Sequence, residues 1–273
     1  MASMLFWNIA KNKSAYDNIK CLVENYSIDI LFLAECPENI SSLLSAINGI
    51  GSGNYRIADP GTGKIRSVSR LQATDFYASK TNLARNMTIW NLRSFDPKLV
   101  FVQIAATHLP SKIGGLDPEV QAQLASKLSK EIRDYEDAED CWNTILIGDF
   151  NMSPYETGVA AITGLGGCMT NKIAQASRTF QSEEVKRFYN PMWGYFGDRT
   201  EGPAGTYYWS SSSPNNQHWY IFDQILLRPC LVDRLVELRI LDNDGVNPLV
   251  NPKGVPTKDY VSDHLPLYCI LDI

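Results

Sequence analysis

No apolar run in the chain approaches the roughly 18 residues that a membrane-spanning helix needs, so no membrane span is expected. The N-terminus, Met-Ala-Ser-Met-Leu-Phe-Trp-Asn-Ile, has no basic region and no extended apolar core, and reads as a first β-strand rather than a leader peptide. The six cysteines, Cys21, Cys36, Cys141, Cys168, Cys230 and Cys269, are widely spaced and form no CxxC pair. Reduced thiols in a cytoplasmic protein are therefore expected, and a structural zinc site is not. Gly61-Thr62-Gly63-Lys64 lacks the full phosphate-loop spacing and no strand-to-helix context frames it. Positive charge is also short: 25 basic against 30 acidic residues leave a net charge of −5. That balance excludes a broad polyanion binder. It leaves room for a local basic lip, for which Lys64, Arg66, Arg70, Lys172, Arg178, Lys186 and Arg187 are the candidates.

What is present is enough for a sizeable core. Of the 273 residues, 44% are hydrophobic and 20% charged, which suits one globular domain spanning 1–273. Short apolar, β-rich segments at 4–8, 30–34, 99–107, 144–148, 221–227, 235–241 and 267–273 read as strands, many buried on both faces. Helices are expected at 15–26, capped by Ser14, and at 38–47, 117–137 and 154–162. In the longest, Val120, Leu124, Leu128, Ile132 and Tyr135 trace one stripe. Gly49–Gly53 and Gly61–Gly63 read as local loops and 58–70 as a flexible excursion. The longest irregular stretch, 189–220, is rich in aromatics.

The polar motifs fall at strand ends. Trp7-Asn8-Ile9 closes the first strand and Ala34-Glu35-Cys36 the second. Thr107-His108-Leu109-Pro110 and Gly148-Asp149-Phe150-Asn151 close two more. Phe222-Asp223-Gln224-Ile225-Leu226 lies within a strand, and Ser262-Asp263-His264-Leu265-Pro266 precedes the last. Strand ends gathered on one rim of a sheet make a rigid polar cluster. Carboxylates and imidazoles in such a cluster can hold a divalent cation, aim a water and neutralise charge growing on a phosphoryl group.

In these motifs, in this order and separation, the chain resembles the endonuclease/exonuclease/phosphatase superfamily of magnesium-dependent phosphoesterases. The resemblance runs from Trp7-Asn8 to Asp263-His264. It implies a four-layered α/β sandwich, two mixed β-sheets packed face to face with helices outside. It also implies roles. Glu35 would be the principal Mg²⁺ ligand, with Asn8 and Asp263 completing the shell and Mn²⁺ as a substitute. His264 would be the catalytic histidine held by Asp223, and Asp149 would orient or deprotonate the attacking water. Asn151 would hydrogen-bond the phosphate, and His108 would stabilise the transition state or protonate the leaving oxygen. The chain departs from abasic-site relatives at Ala10, where they carry a second acidic ligand. It also lacks a basic residue before Asp223 and has Ala34, not Gln, before Glu35; no Trp-Cys-Asp-Arg motif of the inositol phosphatases is present.

A nucleic acid or nucleotide phosphodiester is the expected substrate. Trp193, Tyr195, Phe196, Tyr207, Tyr208, Trp209, Trp219 and Tyr220 offer rings on which unpaired bases could stack. The alternative is a phosphatase or phosphodiesterase acting on a small-molecule or lipid-headgroup phosphate.

Overall fold

The computed structural model describes residues 1–273 apart from 38, 50–53, 62, 83–85, 98, 113–116 and 177. Two mixed sheets carry the architecture. In spatial order the six-stranded sheet runs Leu235–Ile240, Leu267–Leu271, Ala2–Asn8, Ile30–Ala34, Ile65–Ser69 and Arg56–Ile57. The seven-stranded sheet runs Phe76–Asn82, Met87–Arg93, Phe101–His108, Thr144–Asp149, Asp223–Leu227, Phe188–Tyr189 and Gly167–Cys168.

The period-two alternation of side chains along a strand explains the layering. Ile145 and Ile147 enter the large apolar cluster shared by both sheets, while Leu146 between them enters a second cluster. Ile225 and Leu227 alternate in the same way with Leu226. The second cluster is roofed by Leu128, Ile132 and Tyr135 of the helix Pro118–Ala138. On the other side, Ile19, Leu22 and Val23 of Ala15–Tyr26 and Leu43 and Ile47 of Ser41–Asn48 join the large cluster. Helix, sheet, sheet and helix thus form the expected four-layered sandwich. Among the described residues no helix is long and apolar enough to cross a membrane, and all six cysteines are free.

Several local expectations are corrected. The stretch 58–70 is no excursion, since Ile65–Ser69 pairs with both Ile30–Ala34 and Arg56–Ile57. Its polar residues disguise it: Asp59 accepts from the Ser67 backbone N–H at 2.8 Å, and Ser69 Oγ donates to Asp29 O at 2.9 Å. Ser14 donates no cap, because its own backbone is already helical; Asn12 Oδ1 instead accepts from Ser14 N–H at 3.0 Å. The second helix is Ser41–Asn48, and Glu38, with which it was expected to start, lies outside the described residues, as do Gly51, Gly53 and Thr62 of the two expected loops. The helix expected at 154–162 contracts to Thr157–Ala160. The long helix is rotated from its expected stripe: Val120 is 40% exposed, whereas Gln121 and Ala125 face inward.

Candidate active site

Strand register assembles the site. Asn8 pairs with Ala34 in parallel strands, so Asn8 and Glu35 leave the six-stranded sheet on one rim. In the other sheet Asp149 pairs with both His108 and Asp223. The last strand is antiparallel to Ala2–Asn8, which returns its entrance to the rim of Asn8, and Ser262 Oγ donates to Asn8 O at 2.7 Å. Asn8, Glu35, His108, Asp149, Asn151, Asp263 and His264 consequently line one cavity of about 370 Å³. Asp223 is fully buried behind His264.

Each polar side chain is held by identifiable partners. His264 Nδ1 lies 2.8 Å from Asp223 Oδ2, leaving Nε2 directed at Asp149 Oδ2, 3.9 Å away. The Tyr207 ring packs against the imidazole with centroids 4.7 Å apart, and Trp7 Nε1 donates to His264 O at 2.9 Å. Asp223 N–H donates to Thr206 Oγ1, while Asp223 Oδ1 is buried without a hydrogen-bond partner. Asp149 accepts from Asn8 Nδ2 at 3.0 Å and from Asn151 N–H at 2.9 Å. His108 Nε2 stands 3.6 Å from Asp149 and 3.9 Å from Glu35. Glu35 and Asn151 both adopt left-handed backbone, with φ of 46° and 50°. For a non-glycine residue that conformation is uncommon and tends to concentrate at functional corners.

Electrostatics follow from this crowding. Burial alone would pull the His264 imidazolium down, but the carboxylates of Asp223 and Asp149 outweigh it and raise the pKa to about 9. Burial pushes the Asp223 carboxyl up, against the opposing pull of His264. Burial, together with the nearby Asp263 and Asp149, lifts the Tyr207 hydroxyl to about 12.

The sequence model of the Endonuclease/Exonuclease/phosphatase family matches residues 5–264, which takes in every described residue that lines this cavity. The chain belongs to that family. A search of curated protein sequences finds no significant match. Solved structures of the family share the fold at low identity. A 3′ phosphatase, NExo, from Neisseria, bound to a product DNA hairpin, is 14% identical over 100% of both chains with a TM-score of 0.60. An AP endonuclease from Archaeoglobus fulgidus is 14% identical over 100% of both chains with a TM-score of 0.58. The human Nocturnin catalytic domain with bound sulfate is 18% identical over 98% of this chain and 93% of that one, with a TM-score of 0.57.

The members of this family are phosphoric ester hydrolases that typically depend on a divalent metal, and the residues present here fit one. Glu35, Asp149 and Asp263 bring three carboxylates to one cavity, whereas its two lysines already sit beside carboxylates. Lys112 pairs with Glu156, and Lys258 stands 3.5 Å from Asp263. Carboxylate oxygens gathered in this way suit a hard cation. Ligand atoms of Asp149, Asp223 and His264 also lie within 4.8 Å of one another, although Asp223 Oδ2 is already engaged by His264. Asn8 turns its amide nitrogen, not its oxygen, toward the carboxylates, because Oδ1 accepts from Ala10 N–H at 3.0 Å.

None of the seven residues expected in a basic lip lines the cavity itself. Arg66 and Arg70 pair with Asp59 and Asp29. Lys186 lies over the Trp142 ring at 3.6 Å and Arg187 donates to Ile173 O, both near Arg228 at the opposite end of the strand Asp223–Leu227. Among the described residues, the cations that line the cavity are Lys112 and Lys258, and they carried no motif to mark them. Of the eight candidate stacking aromatics, Tyr207, Trp209 and Tyr220 line the cavity, joined by Phe222. Trp193 and Phe196 pack with each other instead, and Tyr208 packs with Trp219.

Proposed function

We propose that this family member is a magnesium-dependent phosphodiesterase that hydrolyses nucleic-acid phosphodiester bonds by in-line attack of water. The observation that carries the reading is the buried Asp223–His264 pair, with its free Nε2 facing Asp149 inside a cavity edged by Glu35, Asp263 and His108. A bound Mg²⁺ or Mn²⁺ would supply Lewis acidity to the phosphoryl oxygens. Glu35 and Asp263 would hold it, and Asn8 aligns Glu35 and Asp149 through Nδ2.

The residues divide the remaining work. Asp149, fixed from two sides by Asn8 and Asn151, orients the attacking water and takes its proton. His264, whose raised pKa favours the imidazolium, donates from Nε2 to a phosphoryl oxygen. His108 meets the leaving-group side as a second donor, and Asn151 contributes to phosphate binding. Tyr207, Tyr220 and Phe222 form a stacked wall, with Tyr207–Phe222 and Tyr220–Phe222 centroids both 5.1 Å apart, against which a base or sugar can rest. The relatives described above as an AP endonuclease and as a phosphatase bound to a DNA hairpin support a nucleic-acid substrate. A cytoplasmic location accords with the six free thiols.

The test is incubation with Mg²⁺ and a panel of single-stranded DNA, RNA, duplex DNA, cyclic nucleotides and phosphoinositides, with the product ends mapped. Shortened oligonucleotides are expected. Turnover confined to small phosphate esters would move the substrate to the small-molecule class, and no turnover with any divalent metal would overturn the reading.

A further inference from the structure

The inward face of the helix Pro118–Ala138 carries a polar side chain, Gln121, only 1% exposed, at a position that packing alone would give to an apolar residue. Its Nε2 donates two hydrogen bonds, to Pro110 O at 2.9 Å and to Asn151 O at 3.0 Å. The acceptors belong to different loops, one following His108 and the other following Asp149. The same loops are stitched nearer the cavity, where Leu109 N–H donates to Asp149 O and Asn151 Nδ2 donates to Leu109 O. Gln121 therefore closes the outer side of a frame whose inner side bears His108, Asp149 and Asn151.

Two further facts separate this residue from ordinary packing. Gln121 Oε1 is buried with no hydrogen-bond partner, and the reversed amide would set an oxygen against two carbonyl oxygens. A buried polar group left half satisfied opposes folding. The helix does not need the residue for its own anchorage, since Asp117 caps it and Leu128, Ile132 and Tyr135 bury its apolar face.

We infer that Gln121 is a positioning residue, which fixes His108 relative to Asp149 and Asn151 through the carbonyls of Pro110 and Asn151. It does not line the cavity and touches no substrate. The inference rests on the phosphodiesterase reading, in which a displacement of about 1 Å can lower turnover about a hundredfold.

Three variants test it. Gln121→Met keeps the length of the side chain and removes the donor, and Gln121→Leu removes it with a shorter apolar side chain should the first fail to fold. Ile132→Val loosens the same helix away from both loops. With Mg²⁺ saturating and well below each unfolding midpoint, the Gln121 variants should lose at least about tenfold in kcat on bis(p-nitrophenyl) phosphate, with KM within about threefold. The ring resonances of His108 should move with them. Ile132→Val should lower the midpoint while keeping wild-type kcat and the wild-type His108 resonances. A folded Gln121 variant with full kcat and unmoved His108 resonances would overturn the inference, as would an equal loss of kcat in Ile132→Val. If the wild type hydrolyses no phosphodiester, the functional reading fails, and the His108 resonances alone decide the role of Gln121.

Discussion

Nδ1 of His264 and Oδ2 of Asp223 lie 2.8 Å apart, with the Tyr207 ring packed on the imidazole and Thr206 Oγ1 accepting from the Asp223 N–H. The carboxylate holds the imidazole in one orientation and one tautomer, so its loss should be felt at the reacting atoms more than in substrate affinity. Asp223→Asn keeps the volume and removes the charge. We expect kcat to fall by about two to four orders of magnitude, with KM changed by less than about tenfold. Steady-state kinetics decide it, and a kcat within threefold of wild type would exclude this pair from the chemistry.

The pair also makes stability depend on pH in the metal-free protein. The His264 pKa is raised from 6.5 to about 9. A raised pKa means that the folded state binds the proton more tightly, so the contribution is complete below about pH 6.5 and disappears as pH climbs through about 9. In EDTA, wild type should therefore lose stability relative to His264→Gln between these limits. Urea midpoints across that range check the sign, and a difference that grows with pH would contradict it.

Removal of metal should abolish turnover, with Mg²⁺ or Mn²⁺ restoring it. Binding to the folded state alone also raises stability, by about 2.7 kcal/mol at a hundredfold excess over Kd. Wild type should accordingly melt at higher temperature with added Mg²⁺. Glu35→Gln should need at least about tenfold more Mg²⁺ for the same rise, since one charged oxygen ligand is lost. An identical Mg²⁺ dependence in wild type and variant would remove Glu35 from the ligand set.

At the opposite rim Arg228 Nε and Nη2 donate to Glu136 at 2.8 and 2.6 Å, both side chains nearly inaccessible. Glu136→Gln strands the guanidinium charge in the interior, which costs about 3–5 kcal/mol. Denaturation should register that loss while kcat per folded molecule stays at the wild-type value. A fall in kcat would reveal coupling between the two rims.

Seven strands could be placed from the sequence because their apolar residues are contiguous, several ending in motifs such as Gly148-Asp149-Phe150-Asn151, whereas Phe76–Asn82 and Met87–Arg93 were not placed. The convergence of His108, Asp149, Glu35 and His264 on one cavity was legible for the same reason, since strand ends share a rim. Other features were hidden by pairings invisible in one dimension. Ile65–Ser69 contains buried Ser67 and Ser69, whose partners lie outside the strand: Asp59 accepts from the Ser67 backbone N–H, and Asp29 O accepts from Ser69 Oγ. The rotation of the long helix depends on a close approach at Gly158, where an added Cβ would meet the Ala125 Cβ at 3.1 Å. That contact turns Gln121 and Ala125 inward and Val120 out. The orientation of Asn8 depends on one backbone N–H, at Ala10, whose position only the folded turn defines.

The strand Ala2–Asn8 lies between Ile30–Ala34 and Leu267–Leu271. The first of these neighbours follows it closely in the chain, and the second lies far along it, beyond the whole of the other sheet. Asn8 and Glu35 therefore meet through a local parallel pairing, whereas His264 reaches the pocket through a pairing of distant segments. Cutting the chain ahead of His264 therefore removes the imidazole and one partner of the strand Ala2–Asn8 together, so the pocket and the sheet beneath it stand or fall as one.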